Sequence, residues 1–136
     1  MSARSKARKA ALDFLYEAEI RGVTPLEVLH SRLNSLEYLI RDYTKELVTG
    51  VTDKRERIDE VISIRAQGWD LDRMPVLDRN ILRLGAYEVL WGADVPVGVA
   101  IDEAVELAKT LSTDESPSYV NGVLSAIAEI KGELAL

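Results

Sequence analysis

No cysteine occurs among the 136 residues, and His30 is the single histidine. A chain without cysteine has neither a disulfide framework nor thiolate chemistry. Nucleophilic catalysis needs a nucleophile oriented by a base, and a lone histidine on a short predicted helix is ordinarily a surface residue. The G-x-S-x-G, G-x-x-x-x-G-K-[ST] and G-x-G-x-x-G motifs are also missing. We therefore expect no catalytic residue, no metal ligand and no cofactor.

Long apolar runs are missing as well. No stretch approaches the roughly 18 apolar residues of a membrane span, and the N-terminus lacks the apolar region of a secretion signal. With 47% hydrophobic and 29% charged residues, the composition is rich enough to bury a core. We expect a cytoplasmic protein without membrane contact, folded as a single domain over residues 1–136.

Acidic side chains are missing from the N-terminus. Residues 1–9 hold four basic side chains and no acid, whereas the remainder holds 13 basic and 23 acidic residues. A net charge of −6 thus conceals a local positive patch, and a phosphate senses charge within a Debye length of about 10 Å. Positive charge in the first turns of a helix opposes the helix dipole. The pattern favours an anion-binding arm, and a frayed, solvated terminus is the alternative.

Apolar residues recur at helical spacing along the chain, and no segment alternates as a strand would. The most apolar segment is 75–91, which begins at Pro75 and is apolar around most of its circumference, as in a helix buried on several sides. Arg79 and Arg83 share the remaining stripe and are expected to project together from the side not needed for packing. Solvated side chains or ion pairs within the chain are the alternative.

The other helices are predicted from their ends and apolar stripes. A first helix should run from Ser2 to Arg21 and end at Gly22, and Thr24-Pro25 should cap and begin a second. The second has the stripe Leu26, Leu29, Leu33 and Leu36. The remaining helical segments are 39–48, 53–64, 99–111 and 116–130. The predicted fold class is all-α, a single-domain bundle of about seven helices.

Several positions carry more specific expectations. Asp53 with Glu56 resembles a capping box. Trp69 and Leu71 are expected to plug into the core. Gly122 keeps helical phase at a cost of about 1 kcal/mol against alanine, so a neighbouring backbone should pass close to it. The loop before the central helix is marked by Gly68, Asp70, Asp72 and Pro75.

Three segments are recognisable in combination, namely ARKAALDFLYEAEI, LDRNILRLGAYEVL and VAIDEAVELAKTLSTDESPSYVNGVL. With LVTGVTDKRERID between the first two, they resemble the NusB family of transcription antitermination factors over nearly the whole chain. The order and spacing of the segments are those of the family. The resemblance implies an all-helical fold of two small bundles around a shared central helix.

The resemblance also implies a non-enzymatic, RNA-binding role. NusB-like proteins pair with NusE, a ribosomal protein of the small subunit. The pair binds the boxA element of nascent RNA and helps RNA polymerase, within an antitermination complex, to elongate through ribosomal RNA operons. Family members occur as monomers and as homodimers, and the alanine-rich side of the first helix is a face on which a second copy would pack.

Site residues follow from the same resemblance. The family's RNA contacts correspond here to Arg4, Arg8, Lys9, Arg79, Arg83 and Tyr119. The surface that faces NusE is expected to include Tyr16, Asp78 and Glu115. Position 115 departs from the aspartate common in the family, so the charge is kept but the reach differs. An aromatic side chain can stack on an unpaired base for about 1–3 kcal/mol, although Tyr119 as a core-capping aromatic is the alternative.

Two other functions stay open. RNA-docking domains fused to ribosomal RNA methyltransferases share this fold, but that role requires a second, cofactor-binding domain, for which the sequence up to Leu136 offers no segment. A helical scaffold without an RNA role is mildly favoured by the acidic pI near 4.9.

Overall fold

The computed structural model describes residues 2–35, 39–66 and 69–136. Regular structure in these ranges is entirely helical, which confirms the all-α prediction. The α-helices are α1 (Ala3–Arg21), α2 (Pro25–Leu33), α3 (Asp42–Asp53), α4 (Arg55–Arg65), α5 (Val76–Trp91), α6 (Val97–Leu111) and α7 (Ser116–Ile130). Short 3-10 turns occupy Leu71–Arg73 and Lys131–Glu133. Leu36 and Gly68, which the sequence assigned to a stripe and a loop, lie outside the described residues.

The chain divides into two compact units, Met1–Lys54 and Arg55–Leu136. The first unit contains α1 to α3 and the second contains α4 to α7. That residues 1–136 form one domain stays a prediction. Within the described ranges, no helix is both long and apolar enough to cross a membrane.

In the first unit, α1 packs against both α2 and α3. The Ser2 hydroxyl accepts from the Ser5 amide at the start of α1, and Gly22 ends this helix in the left-handed conformation with a φ of 69°. That conformation costs glycine almost nothing, because it has no Cβ. Thr24 and Glu27 form a reciprocal capping box at the start of α2. The predicted ends of these helices are therefore confirmed.

Two contacts fix the neighbours of α1 within this unit. The Thr44 hydroxyl on α3 donates to the carbonyl of Ala7 at 3.0 Å. The Arg32 guanidinium on α2 lies 2.6 Å from the Glu17 carboxylate, which Arg21 also contacts. Hydrogen bonds from these two arginines, of which that from Arg21 has the larger effect, hold the pKa of the Glu17 carboxyl below its ordinary value.

In the second unit, α5 packs against α4, α6 and α7. Most of its side chains are buried, including Ile81, Leu82 and Leu84. This confirms the prediction of a helix covered on several sides. Gly85 permits this close packing, because a Cβ at this position would lie 2.6 Å from Leu124 Cδ1 on α7 and the leucine side chain would have to shift.

Several sequence expectations are wrong in detail. A Cβ added at Gly122 would meet no atom within 4 Å, so no backbone passes close to it. Trp69 is 51% exposed, whereas Leu71 is buried as predicted. Helix α3 continues through Asp53, and no capping box forms there. Residues 39–41 precede α3 rather than belonging to it, because the helix begins only at Asp42.

Candidate functional site

The N-terminal basic residues lie on the first three turns of α1, close to α3. The Arg4 and Arg8 guanidinium groups lie over the Tyr43 ring. Their Cζ atoms are 4.4 Å and 5.6 Å, respectively, from the ring centroid. Such cation–π contacts contribute about 0.5–2 kcal/mol, the larger value when the cation is desolvated. Tyr43 thus contacts two of the predicted RNA-binding arginines. The sequence did not indicate this role, because Tyr43 occupies an apolar position of its predicted helix.

The three predicted RNA contacts of α1 differ in their access to solvent. Arg4 is exposed, whereas Arg8 is only 3% exposed. Lys9 is partly exposed and pairs with Asp13 one turn later at 2.8 Å. An exposed i,i+4 pair contributes only about 0.3–0.5 kcal/mol, so a phosphate can replace Asp13 at little cost. Arg4 and Lys9 therefore offer charge to a ligand, whereas Arg8, although it also lies over Tyr43, is buried.

The alanine-rich side of α1, considered above for a second copy, is buried within the chain. Ala7, Ala11 and Ala18 are each no more than 1% exposed. A face that the chain already covers is not available to a second copy. The possibility of a homodimer, which the sequence left open, therefore loses this support. Tyr16, the predicted partner contact on the same helix, is exposed.

Arg83 does not project from α5 as expected. Its guanidinium is 4% exposed and forms two bonds to the Asp59 carboxylate on α4, at 2.8 Å and 3.1 Å. Arg83 also donates to the side-chain oxygen of Asn80 at 3.3 Å. The structure thus favours the alternative of an ion pair within the chain. A bidentate arginine–carboxylate pair with so little exposure is a packing element of this unit.

Arg79 is turned toward the segment that precedes α5. Its guanidinium donates to the carbonyls of Asp72 at 3.1 Å and Met74 at 3.3 Å, and reaches that of Leu71 at 3.5 Å. Carbonyls at the end of a helical turn lack intrahelical partners. Arg79 donates to those of Asp72 and Met74, and it thereby holds the segment between Trp69 and α5 against the first turn of α5.

Asp78 is a buried carboxylate on the first turn of α5, with 8% exposure. Hydroxyls from the α6–α7 connection surround it. Ser112 and Ser116 both donate to its oxygens, the latter at 3.0 Å. Ser116 is itself in hydrogen-bond contact with Thr113 at 2.8 Å. The network holds the start of α7, including Glu115 and Tyr119, beside the start of α5.

Tyr119 lies against Trp69, with ring centroids 5.7 Å apart and planes tilted by 46°. The Tyr119 hydroxyl is buried and has no hydrogen-bond partner among the described residues. Burial raises the pKa of this hydroxyl, and the nearby charge of Asp78 raises it further. The Tyr119 ring is thus half-buried. It is more exposed than a residue that caps the core and less exposed than a free platform for stacking on a base.

These residues surround an open pocket of about 620 Å³ in the second unit. Its lining is aromatic, apolar, hydroxyl-bearing and acidic, and consists of Trp69, Met74, Pro75, Asp78, Thr113, Glu115, Ser116, Ser118 and Tyr119. The structure therefore brings together Tyr119, assigned above to RNA, with Asp78 and Glu115, assigned above to the protein partner. Arg79 and Arg83 do not line the pocket. Trp69 is a site residue that the sequence did not indicate, since a large apolar side chain two positions before Leu71 was expected to lie in the core.

These features define a class of protein, an all-α binding protein with a basic first helix and an acidic aromatic pocket. The sequence profile of the NusB family matches residues 5–129. The chain is 56% identical over 133 residues to the transcription antitermination protein NusB of Thermobifida fusca, covering 98% of this chain and 94% of the relative. It is 52% identical to the NusB protein of an Arthrobacter species, covering 98% of both. This chain belongs to the NusB family.

Solved structures agree with this assignment. The fold is similar to that of T. maritima NusB with a TM-score of 0.82 and 33% identity, covering 98% of this chain and 99% of the other. It is also similar to a chain in a crystal structure of antitermination factors NusB and NusE in complex with double-stranded RNA. That match has a TM-score of 0.80 and 31% identity, and it covers 93% of this chain and 96% of the other.

Proposed function

We propose that this protein is a non-enzymatic, RNA-binding transcription antitermination factor that acts with the ribosomal protein NusE on boxA RNA of ribosomal RNA operons. The observation that carries the proposal is membership of the NusB family over residues 5–129. A similar chain has been solved with NusE and double-stranded RNA, which supports both kinds of partner. The RNA polymerase antitermination complex is the assembly in which this pair would act.

On the first unit, we propose that α1 supplies the phosphate contacts. Arg4 and Lys9 contact the RNA backbone directly, and Arg8 contributes by holding Tyr43 and the adjoining charge in place. Contacts of this kind release counterions, so the affinity falls as salt rises. The exposure of Arg4 and the weakly held Lys9–Asp13 pair support this division of roles.

On the second unit, we propose that Tyr119 contributes an aromatic surface and that Arg79 and Arg83 act by positioning. Arg79 donates to carbonyls that precede α5, and Arg83 is paired with Asp59. We expect Tyr16 on the first unit, and separately Asp78 and Glu115 on the second, to contact NusE. The acidic character of the latter two suits a basic ribosomal protein.

The test is equilibrium binding of fluorescein-labelled boxA RNA by the purified chain, with and without NusE, against an RNA of scrambled sequence. The proposal expects boxA to bind more tightly than the scrambled RNA, and NusE to increase that difference. Equal affinity for both RNAs in the presence of NusE contradicts it. No retention of RNA at low salt favours the helical scaffold instead. The methyltransferase-associated role is not favoured, because the matched relatives are named antitermination proteins.

A further inference from the structure

The first unit has a pocket of its own, formed by α1, α2 and the segment that leads into α3. Its volume is about 230 Å³. It is lined by Ala10, Asp13, Phe14, Glu17, Arg32, Leu39, Ile40, Arg41 and Thr44, none of which is assigned above to RNA or to NusE. Pockets that hold a whole small molecule ordinarily measure about 300–1,000 Å³. This smaller pocket, with four apolar residues in its lining, suits a single large apolar side chain.

The two carboxylates of this pocket already have cationic partners. Asp13 is paired with Lys9 at 2.8 Å. Glu17 is paired with Arg21 at 2.7 Å and with Arg32 at 2.6 Å. A ligand that brought a further cation to the pocket would have to compete with these pairs, so the acids do not define its occupant.

The remaining cation of the lining, Arg41, is available to a ligand. Its side chain is exposed, and it forms no hydrogen bond or ion pair with any residue that the structure describes. Together with the three cations that pair with Asp13 and Glu17, it makes four positive charges against two negative ones around the pocket. An acidic group on a ligand is complementary to this excess of positive charge.

The apolar part of the lining favours a protein side chain over an RNA base. Phe14 is buried in the lining, whereas Leu39 at the same pocket is fully exposed and would be covered by a ligand. The Thr44 hydroxyl already donates to the carbonyl of Ala7, so the polar edges of a base would find few free partners here. Burying polar groups without hydrogen bonds is costly. An apolar side chain carries no such groups.

We propose that this pocket binds a peptide segment of a protein partner other than NusE, in which a large apolar residue is followed by an acidic one. The apolar side chain contacts Phe14 and Leu39, and the acidic side chain pairs with Arg41. The acidic character of the segment distinguishes this partner from a basic ribosomal protein. The proposal depends on neither RNA nor NusE, so its failure would leave the proposed function intact.

A dipeptide probe tests the pocket with the chain alone at low salt. Phe14 is the single phenylalanine of the chain, so selective ¹³C labelling of phenylalanine gives one ring whose NMR signals report this pocket. The probe is acetyl-phenylalanyl-glutamate amide, and its controls carry glutamine in place of glutamate or alanine in place of phenylalanine. The probe should shift the Phe14 signals saturably. It should bind about two- to fivefold more tightly than the glutamine control, the effect of an exposed ion pair, and about tenfold more tightly than the alanine control.

Two variants locate the charge that the probe recognises. Arg41→Gln should remove the preference for glutamate over glutamine, whereas Arg73→Gln, which changes an exposed arginine of the second unit outside the pocket, should keep it. The absence of a saturable Phe14 shift, equal binding of the glutamate and glutamine peptides, or an unchanged preference in Arg41→Gln overturns the proposal. Phe14 shifts produced by uridine 5′-monophosphate or by raising the protein concentration, with none from the dipeptide, would identify RNA or a second copy as the occupant instead.

Discussion

The Arg83 guanidinium on α5 and the Asp59 carboxylate on α4 meet in a two-point ion pair, at 2.8 Å and 3.1 Å. The arginine is 4% exposed. An arginine that resembles a surface RNA contact in the sequence is therefore a bond between two helices of one unit. Removal of this ion pair should lower the stability of the fold more than it alters a binding surface.

The first prediction concerns that pair. Asp59→Asn should lower the free energy of unfolding by about 3 kcal/mol, because it leaves the buried Arg83 charge without its partner. The measurement is urea denaturation followed by circular dichroism. Lys109→Met, which removes an exposed charge of the same unit, should change the stability by less than about 0.5 kcal/mol. Similar stabilities for Asp59→Asn and the parent chain would show that the pair contributes nothing.

A second prediction compares two glycines in helix interiors. Gly122→Ala should be up to about 1 kcal/mol more stable than the parent, because alanine is the better helix former and its Cβ meets nothing within 4 Å. At Gly85 the same change places a Cβ 2.6 Å from Leu124 Cδ1 and 3.1 Å from Ala104 Cβ. Gly85→Ala should therefore be less stable than Gly122→Ala by about 1–3 kcal/mol. Thermal unfolding of both variants measures the difference, and equal melting temperatures would contradict the close packing of α5 against α7.

A third prediction follows from the pKa of Tyr119, which burial and then the charge of Asp78 raise above the ordinary value of 10.0. Between that value and the higher pKa of the folded state, the folded protein keeps a proton that the unfolded chain has released. Stability should thus be unaffected by this group below about pH 10 and fall as the pH rises above it.

Tyr119→Phe should remove this part of the alkaline loss. At neutral pH the variant should be as stable as the parent or more stable by roughly 1 kcal/mol, because it deletes a buried hydroxyl without a partner. Denaturant unfolding of both proteins at neutral and alkaline pH provides the measurement. If the two proteins lose stability in parallel above pH 10, the hydroxyl is not buried in solution as the structure has it.

Local chemistry predicted the helix ends well. Gly22 and the pair Thr24-Pro25 act through hydrogen bonds within three or four residues, so the sequence contains everything that determines them. The apolar circumference of α5 was predictable for a related reason, since a helix without a polar face has to be covered on all sides.

The errors arise where a distant residue decides the outcome. Arg83 is buried because Asp59, 24 positions earlier, reaches it from another helix, and helical spacing alone contains no such information. Trp69 was assigned to the core because it is large and apolar, yet it forms one wall of an open pocket. Gly122 has open space around it, and the close approach expected there occurs at Gly85.

The candidate site was predictable in part, because family resemblance indicates positions but not their surroundings. It selected Tyr119, Asp78 and Glu115 for two different ligands, and the structure places all three on one pocket. Tyr43 was not selected, since its part in the site depends on Arg4 and Arg8 reaching it from another helix.

The most direct test of the central claim, that α1 binds RNA phosphates through Arg4 and Lys9, is the salt dependence of boxA binding. Affinity is measured with NusE present between about 50 and 200 mM salt for the parent chain, Arg4→Ala, Lys9→Ala and the control Lys109→Ala. Each α1 variant should weaken binding and reduce the slope of log K against log salt by about 0.7–1, the loss of one phosphate contact, whereas Lys109→Ala should match the parent. Slopes and affinities that are the same for all four proteins would contradict the claim.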